Sequence, residues 1–191
     1  MLRDYGSGER KIDSYYRHYD THFEARKNDE MNVLEIGIQH GGSLRMWTKY
    51  FANGKVTGVD NDPHCKDLDV NGATVVIGDQ SNPEFLAQFV GFDIIIDDGG
   101  HTMEQQQVSF KTLFPLLKQG GIYVIEDLHT SYWPEFQDAP VRTTDFIASL
   151  IHSLNADAMK SPRSGAVNDV VAPYQIAEVH NYESMCFIYK K

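Results

Sequence analysis

Apolar residues along this chain fall in short runs separated by turn residues, and the runs alternate between strand-like and helix-like spacing. Asn32 to Ile36 (NVLEI) is a compact apolar run that stops at Gly37 and reads as a buried strand. Leu44, Trp47 and Phe51 then share one face of a helix over Ser43 to Phe51, with Ser43 placed as its N-cap. Lys55 to Val59 is a second strand, and Ala73 to Ile77 a third after the turn residues Asn71-Gly72. Pro83 to Phe89 predicts a short helix, capped by Asn82 and with proline at its first position. Phe92 to Ile96 (FDIII) is apolar enough for the centre of a sheet. Met103 to Leu117 predicts a helix buried along Phe110, Leu113, Phe114 and Leu117. Gln119-Gly120-Gly121 ends it before a fifth strand, Ile122 to Ile125. Strands alternating with helices predict parallel βαβ units.

The flanks depart from this rhythm. Lys11 to Lys27 places Tyr16, Tyr19 and Phe23 at i, i+3 and i+7, so an amphipathic helix is expected within an N-terminal segment spanning residues 1–30. Thr144 to Leu154 reads as a helix and Asn155 to Asn168 as a polar loop. Tyr174 to His180 and Met185 to Tyr189 follow as strands, and their link, Asn181 to Ser184, is short enough to require an antiparallel hairpin. The whole reads as a single domain over residues 1–191, with a parallel sheet finished by that hairpin.

Composition narrows the partners. The chain has 191 residues, enough to bury a core without disulfide staples. Lys+Arg total 17 against 27 Asp+Glu, a net charge of −10, which argues against a nucleic-acid backbone or an anionic membrane as partner. A small polar substrate or a cation fits that charge better, and a homo-oligomer is compatible with it. Cys65 and Cys186 are the two cysteines, too few for a disulfide framework and without metal-pair spacing, so a reduced, cytoplasmic compartment is expected. Met1 to Arg10 has no apolar signal core, and no apolar stretch approaches the length of a membrane span.

In open α/β sheets ligands lie at the carboxyl ends of the strands. Those ends carry Glu35-Ile36-Gly37 with Gly41, Gly42 and Ser43; Asp60; Asp79-Gln80; Asp97-Asp98-Gly99-Gly100-His101; and Glu126-Asp127. A P-loop is excluded because Gly42-Ser43 lacks its lysine, and the glycine spacing departs from the dinucleotide fingerprint. S-adenosylmethionine (SAM), a cation without phosphates, suits an acidic Glu35-x-Gly37 loop. Asp60 suits bidentate bonding to its ribose, and Asp79 with Gln80 would lie near the adenine. Candidate cofactor contacts are therefore Glu35, Gly37, Gly41, Ser43, Asp60, Asp79, Gln80 and Asp97. Asp98, Glu126 and Asp127 are hard oxygen donors on adjacent strand ends, a set that suits Mg²⁺ and a substrate diol. His101, three residues beyond Asp98, is placed to take a proton from an attacking hydroxyl, with His129 as rival base and Trp133 as a residue that would cover the substrate or pack.

The sequence resembles the class I SAM-dependent methyltransferases over Asn32 to Asp127. Leu116-Leu117-Lys118-Gln119-Gly120-Gly121 looks like that superfamily's turn before the fifth strand, with Gln119 in place of proline. More narrowly, Ile94 to His101, Gly121 to Asp127 and Tyr132-Trp133-Pro134 resemble the metal-dependent sugar O-methyltransferases of the macrolide and methylmannose type. The family's early Tyr-Gly-Ser-Asp-Lys segment is matched only in part, by Tyr5-Gly6-Ser7-Gly8-Glu9, and the macrolide enzymes carry an extra N-terminal domain that this sequence does not include. The resemblance implies a Rossmann-like α/β fold with a seven-stranded sheet in the order 3-2-1-4-5-7-6, strand 7 antiparallel. It also implies methyl transfer from SAM to a sugar hydroxyl of a natural product or polysaccharide. In it, Asp98, Glu126 and Asp127 fall on metal ligands and His101 on the catalytic base. Two other readings remain: an iron(II)-dependent hydroxylase, and a non-catalytic nucleotide-binding module.

Overall fold

A computed structural model describes residues 1–5, 11–155 and 173–191. One sheet contains β1 (Asn32–Ile36), β2 (Lys55–Asp60), β3 (Ala73–Ile77), β4 (Ile94–Asp97), β5 (Ile122–Ile125), β6 (Ile176–Tyr182) and β7 (Met185–Lys190). Its order is β3-β2-β1-β4-β5-β7-β6. β1 to β5 pair in parallel, and β7 runs antiparallel to both β5 and β6. The expected order and reversal are both present. Beyond Asn155, the expected polar loop lies outside the described residues.

Helices cover both faces, and strand alternation decides which side chain goes to which face. Val33, Ile94, Ile96, Ile122 and Val124 pack with Tyr15, Tyr19 and Phe23 of α1 (Asp13–Phe23) and with Trp47 of α2 (Gly42–Tyr50). Their strand neighbours Leu34, Ile36, Ile95, Tyr123 and Ile125 pack on the opposite face. That face is closed by Leu86 of α3 (Pro83–Leu86), Phe110 and Leu113 of α4 (Met103–Leu113), and Ile147 of α5 (Thr143–Ser149). A last short helix, α6 (Ile151–Leu154), follows a break at Leu150 in what the pattern predicts as one helix.

Several boundaries move for identifiable reasons. α4 stops at Leu113 and continues as a 3-10 turn, Phe114–Leu116, because Pro115 has no N–H to extend the helix. α2 begins at Gly42, with Gly41 in the left-handed conformation before it, so Ser43 sits inside the first turn and does not cap it. Asn82 does cap α3, accepting from the N–H groups of Glu84 and Phe85. On α1 the buried side is Tyr15, His18, Tyr19, His22 and Phe23, with Tyr15 in the place given to Tyr16. His22 lies flat on Phe187 of β7, and its ring nitrogens meet the hydroxyls of Tyr189 and Tyr182. Both cysteines are free and buried. No helix among the described residues is long and apolar enough to cross a membrane.

Candidate active site

The cleft is built by extending the ladder one residue past each strand. Gly37 N–H donates to Val59, Gly78 to Asp60, Asp98 to Ile36 and Glu126 to Asp97, all at 2.8–2.9 Å. These bonds hold the starts of the loops after β1, β3, β4 and β5 against the neighbouring strands. Gly37 is required here: at φ +84° a Cβ would lie 2.1 Å from the carbonyl oxygen of Asp98. The resulting cleft, about 610 Å³, is lined by Gly37, Gln39, Ser43, Asp60, Asp79, Gln80, Asp98, His101, Glu126, Asp127 and His129, among others.

At one end stands an acidic cluster. Ligand atoms of Asp98, His101 and Asp127 all lie within 4.8 Å of one another. His101 Nε2 is 3.4 Å from Asp127 Oδ2, and Tyr15 donates its hydroxyl to Asp127 Oδ1 at 2.8 Å. Glu126 lies behind them, 2 % exposed, with Oε1 accepting from Tyr19 and from Lys11. Burial, reinforced by the charge of Asp98, pushes its carboxyl up from the usual range, against the pull of Lys11. The same Lys11 ammonium reaches Asp98 Oδ2 at 2.6 Å. Burial disfavours that ammonium, but Asp98 and Glu126 outweigh it and hold its pKa well above the ordinary value. All three expected metal ligands line the cleft: Asp98 and Asp127 gather with His101, and Lys11 bonds both Asp98 and Glu126.

The expected cofactor contacts divide in two. Gly37, Ser43, Asp60, Asp79 and Gln80 line the cleft. Asp60 Oδ2 accepts from the N–H groups of Ile38 and Gln39, and Oδ1 from that of Asp62. A carboxylate offers about four acceptor directions, and the backbone takes three of them, two on Oδ2 and one on Oδ1. Asp79 is exposed and accepts from Ser81. Gln80 is buried and bridges the loops, giving its amide N–H to Asp97 and Ser109 and taking the N–H of Gly100.

Glu35, Gly41 and Asp97 are not among the lining residues. Glu35 is fully buried, accepts from the Trp47 indole, and is pushed up to about 7 by burial. Its place inside β1 turns it into the layer beneath α2. Asp97 is also pushed up to about 7 by burial and is tied to Gln80 and Tyr123, because strand alternation points it inward while Asp98 opens to the cleft. Gly41 serves as the left-handed entry to α2.

The strained backbone gathers at the same place. Among the described residues, the non-glycine residues with positive φ are Gln39, His101, Asp127 and Ser184. The first three line the cleft, and Ser184 meets it through Tyr15 and His129. Such conformations cost about 1 kcal/mol or more each and persist where neighbours fix them. Thr130 does so here, its single hydroxyl proton shared between the carbonyls of His101 and Asp127 at 2.9 and 2.8 Å. His101 Nδ1 is buried with no partner among the described residues. His129, the rival base, bonds Ser184 Oγ and meets the Trp133 ring edge-on. Lys11 and Tyr15 carry no local sequence signal for their roles, and both came to light only in the fold.

Residues 34–128 match the family described as a methyltransferase domain. Demethylmacrocin O-methyltransferase of Streptomyces fradiae is 38% identical over 91% of this chain and 47% of its own length. The 8-demethyl-8-alpha-L-rhamnosyl tetracenomycin-C 2'-O-methyltransferase of Streptomyces olivaceus is 41% identical over 79% of this chain and 44% of its own. The MycE methyltransferase of the Mycinamycin pathway, solved with Mg, SAH and Mycinamycin VI, superposes with a TM-score of 0.81 at 34% identity, over 95% of this chain and 50% of that one. Aeropyrum pernix fibrillarin, at 18% identity over 85% of this chain and 67% of its own, and a TM-score of 0.52, shares the fold. The chain spans about half the length of the curated relatives it matches. The sheet order, the strand-end acids and these matches agree: the chain has the class I methyltransferase fold, and its residues 34–128 belong to the methyltransferase-domain family.

Proposed function

We propose that the chain is a SAM- and Mg²⁺-dependent O-methyltransferase that acts on a sugar hydroxyl of a glycosylated acceptor, working as a single domain in a reducing, cytoplasmic compartment. The observation that carries this reading is the convergence of Asp98, His101 and Asp127 in a cleft that Asp60 also lines. Hard carboxylate oxygens suit Mg²⁺, and Asp98 and Asp127 would hold it. A divalent cation there would supply Lewis acidity, lowering the pKa of an acceptor hydroxyl and fixing its direction. His101 Nε2, open to the same space, takes the hydroxyl proton, and Asp127 Oδ2 stabilises the imidazolium that forms. Tyr15 holds the other oxygen of Asp127, so Oδ2 is the one left for this work. Asp60 Oδ1 takes a ribose hydroxyl, and Gly37 keeps the floor of the cleft clear.

Support comes also from the relatives, which are O-methyltransferases, and from MycE, which was solved with Mg and SAH. An iron(II) hydroxylase would need a second histidine on the cluster, and His129 is committed to Ser184. Calorimetry with SAM, followed by turnover of a glycoside panel with labelled SAM in Mg²⁺ or EDTA, tests the proposal. SAM binding with Mg²⁺-dependent labelling of a sugar is the expected result. No SAM binding, or full turnover in EDTA, overturns it.

A further inference from the structure

Three side chains of the N-terminal segment meet the three carboxylates of the acidic cluster. Tyr15 and Tyr19 share one face of α1, and Lys11 lies four residues before Tyr15, just ahead of the helix. Lys11 Nζ donates to Asp98 Oδ2 at 2.6 Å, Lys11 and Tyr19 both donate to Glu126 Oε1, and Tyr15 donates to Asp127 Oδ1 at 2.8 Å. We propose that this stripe sets the cation selectivity of the site: it leaves each carboxylate to offer one oxygen, which suits Mg²⁺ and disfavours Ca²⁺. This rests on the methyltransferase reading above and deepens it by naming the residues that choose the metal.

Giving partners to two hydroxyls and an ammonium would not by itself require this distribution. The bonds reach one oxygen of each acid, and two donors converge on Oε1 of Glu126 instead of dividing between its oxygens. Asp98 Oδ1, Glu126 Oε2 and Asp127 Oδ2 are the oxygens that the stripe does not touch, and all three acids line the cleft. Both tyrosines are buried, as is the Lys11 side chain, so none of the three donors swings freely into water. Ca²⁺ takes about six to eight oxygens and readily claims both oxygens of a carboxylate, whereas Mg²⁺ demands an octahedron at about 2.0–2.1 Å and keeps several waters. A cation bound through both oxygens of Asp98 or Glu126 would share one of them with the Lys11 ammonium, and like charges so close repel. A cation bound through both oxygens of Asp127 would compete with the Tyr15 proton for Oδ1. The stripe thus withholds the additional oxygens that Ca²⁺ draws on and leaves those that Mg²⁺ can use.

Calorimetric titration of the full chain with Mg²⁺ and with Ca²⁺ reads this selectivity without turnover. Wild type is expected to bind Mg²⁺ more tightly than Ca²⁺. Tyr15→Phe, which removes one hydroxyl and frees Asp127 Oδ1, is expected to narrow that ratio about tenfold, mainly by tightening Ca²⁺. Lys11→Met should tighten both cations, because a positive charge leaves the cluster, and Ca²⁺ more than Mg²⁺. His18→Phe is the control: the His18 ring stacks on Tyr182 and makes no hydrogen bond to the acids, so the ratio should stay at the wild-type value. Thermal melts establish that each variant is folded. An unchanged ratio in either folded stripe variant, a wild-type preference for Ca²⁺, or the same narrowing in His18→Phe would each overturn the assignment. Absence of Mg²⁺ binding in wild type removes the metal-dependent reading itself, whereas intact Mg²⁺ binding with an unaltered ratio in the variants removes the role of the stripe alone.

Discussion

Replacing Lys11 by methionine removes one charge from the most crowded part of the molecule while keeping a side chain of similar length. In the wild type, Lys11 Nζ stands 2.6 Å from Asp98 Oδ2 and 2.7 Å from Glu126 Oε1, with only 6% of its side chain exposed. Deleting one partner of a buried pair costs about 3–5 kcal/mol, because the charge left behind has neither water nor counter-ion. Glu126 relieves part of that by taking a proton, since burial already pushes its carboxyl up. A loss of about 3 kcal/mol in EDTA is therefore expected, or about 6–12 °C in Tm for a chain of this size. The sign with pH follows. A carboxyl raised above its unfolded pKa contributes stability at low pH and loses it as pH rises through the folded value, so the deficit should be larger at pH 9 than at pH 6. Mg²⁺ should restore more stability to the variant than it adds to wild type, up to about 2.7 kcal/mol at a hundred times Kd. Thermal melts at both pH values, in EDTA and in excess Mg²⁺, measure all three effects. A Tm within about 2 °C of wild type in EDTA, or an identical Mg²⁺ increment, would refute the assignment of Lys11 as the cluster's internal counter-charge.

Asp60→Ala should lower SAM affinity by about a hundredfold or more in calorimetry, since bonds to a charged acceptor contribute about 1.5–3 kcal/mol each and the loop at Ile38 and Gln39 loses its anchor as well. Unchanged affinity would place the ribose elsewhere. His101→Gln should cut turnover by about 10²-fold with SAM affinity unchanged, while His129→Gln, whose ring is held by Ser184, has a smaller effect on rate; the reverse pattern in steady-state kinetics would make His129 the base. Glu35→Gln should gain relative stability as pH rises from about 5 to 8, because a buried carboxyl pushed up to about 7 loses stability over that window; parallel pH–Tm curves for variant and wild type would contradict this.

What the sequence made legible follows from how local each signal was. β1, β3 and β5 begin and end where the apolar runs do, since those runs are bounded by turn residues. The hairpin runs on through Asn181 and Tyr182, which pair across to Cys186 and Met185 respectively although they read as turn residues. Tyr16 was a reasonable choice for the buried face of α1 while histidine counted as polar, but His18 and His22 are buried against β6 and β7, and the helix is rotated accordingly. At the site, the strand-end rule located the cleft and most of its acids. It failed for Glu35 and Asp97, which lie inside their strands and face the packed layers. Nothing local could have placed Lys11, whose partners lie 87 and 115 residues away.

Ser184, at the tip of the β6–β7 hairpin, has the left-handed backbone that closes the turn. Its carbonyl takes the N–H of Leu128 and lies 3.2 Å from the Tyr15 hydroxyl, and its own hydroxyl meets His129. The Tyr15 contact spans 169 residues of sequence. That separation sets the order of assembly. Loop-closure entropy delays so distant a contact, and during synthesis at roughly 5–20 residues per second Ser184 is made several seconds after Asp127. In that interval the loop after β5 lacks the prop that holds Asp127 and His129 to the cleft wall. The geometry of the acidic cluster is thus among the last things the nascent chain acquires, and a fault in a hairpin that supplies none of its acids would unmake it.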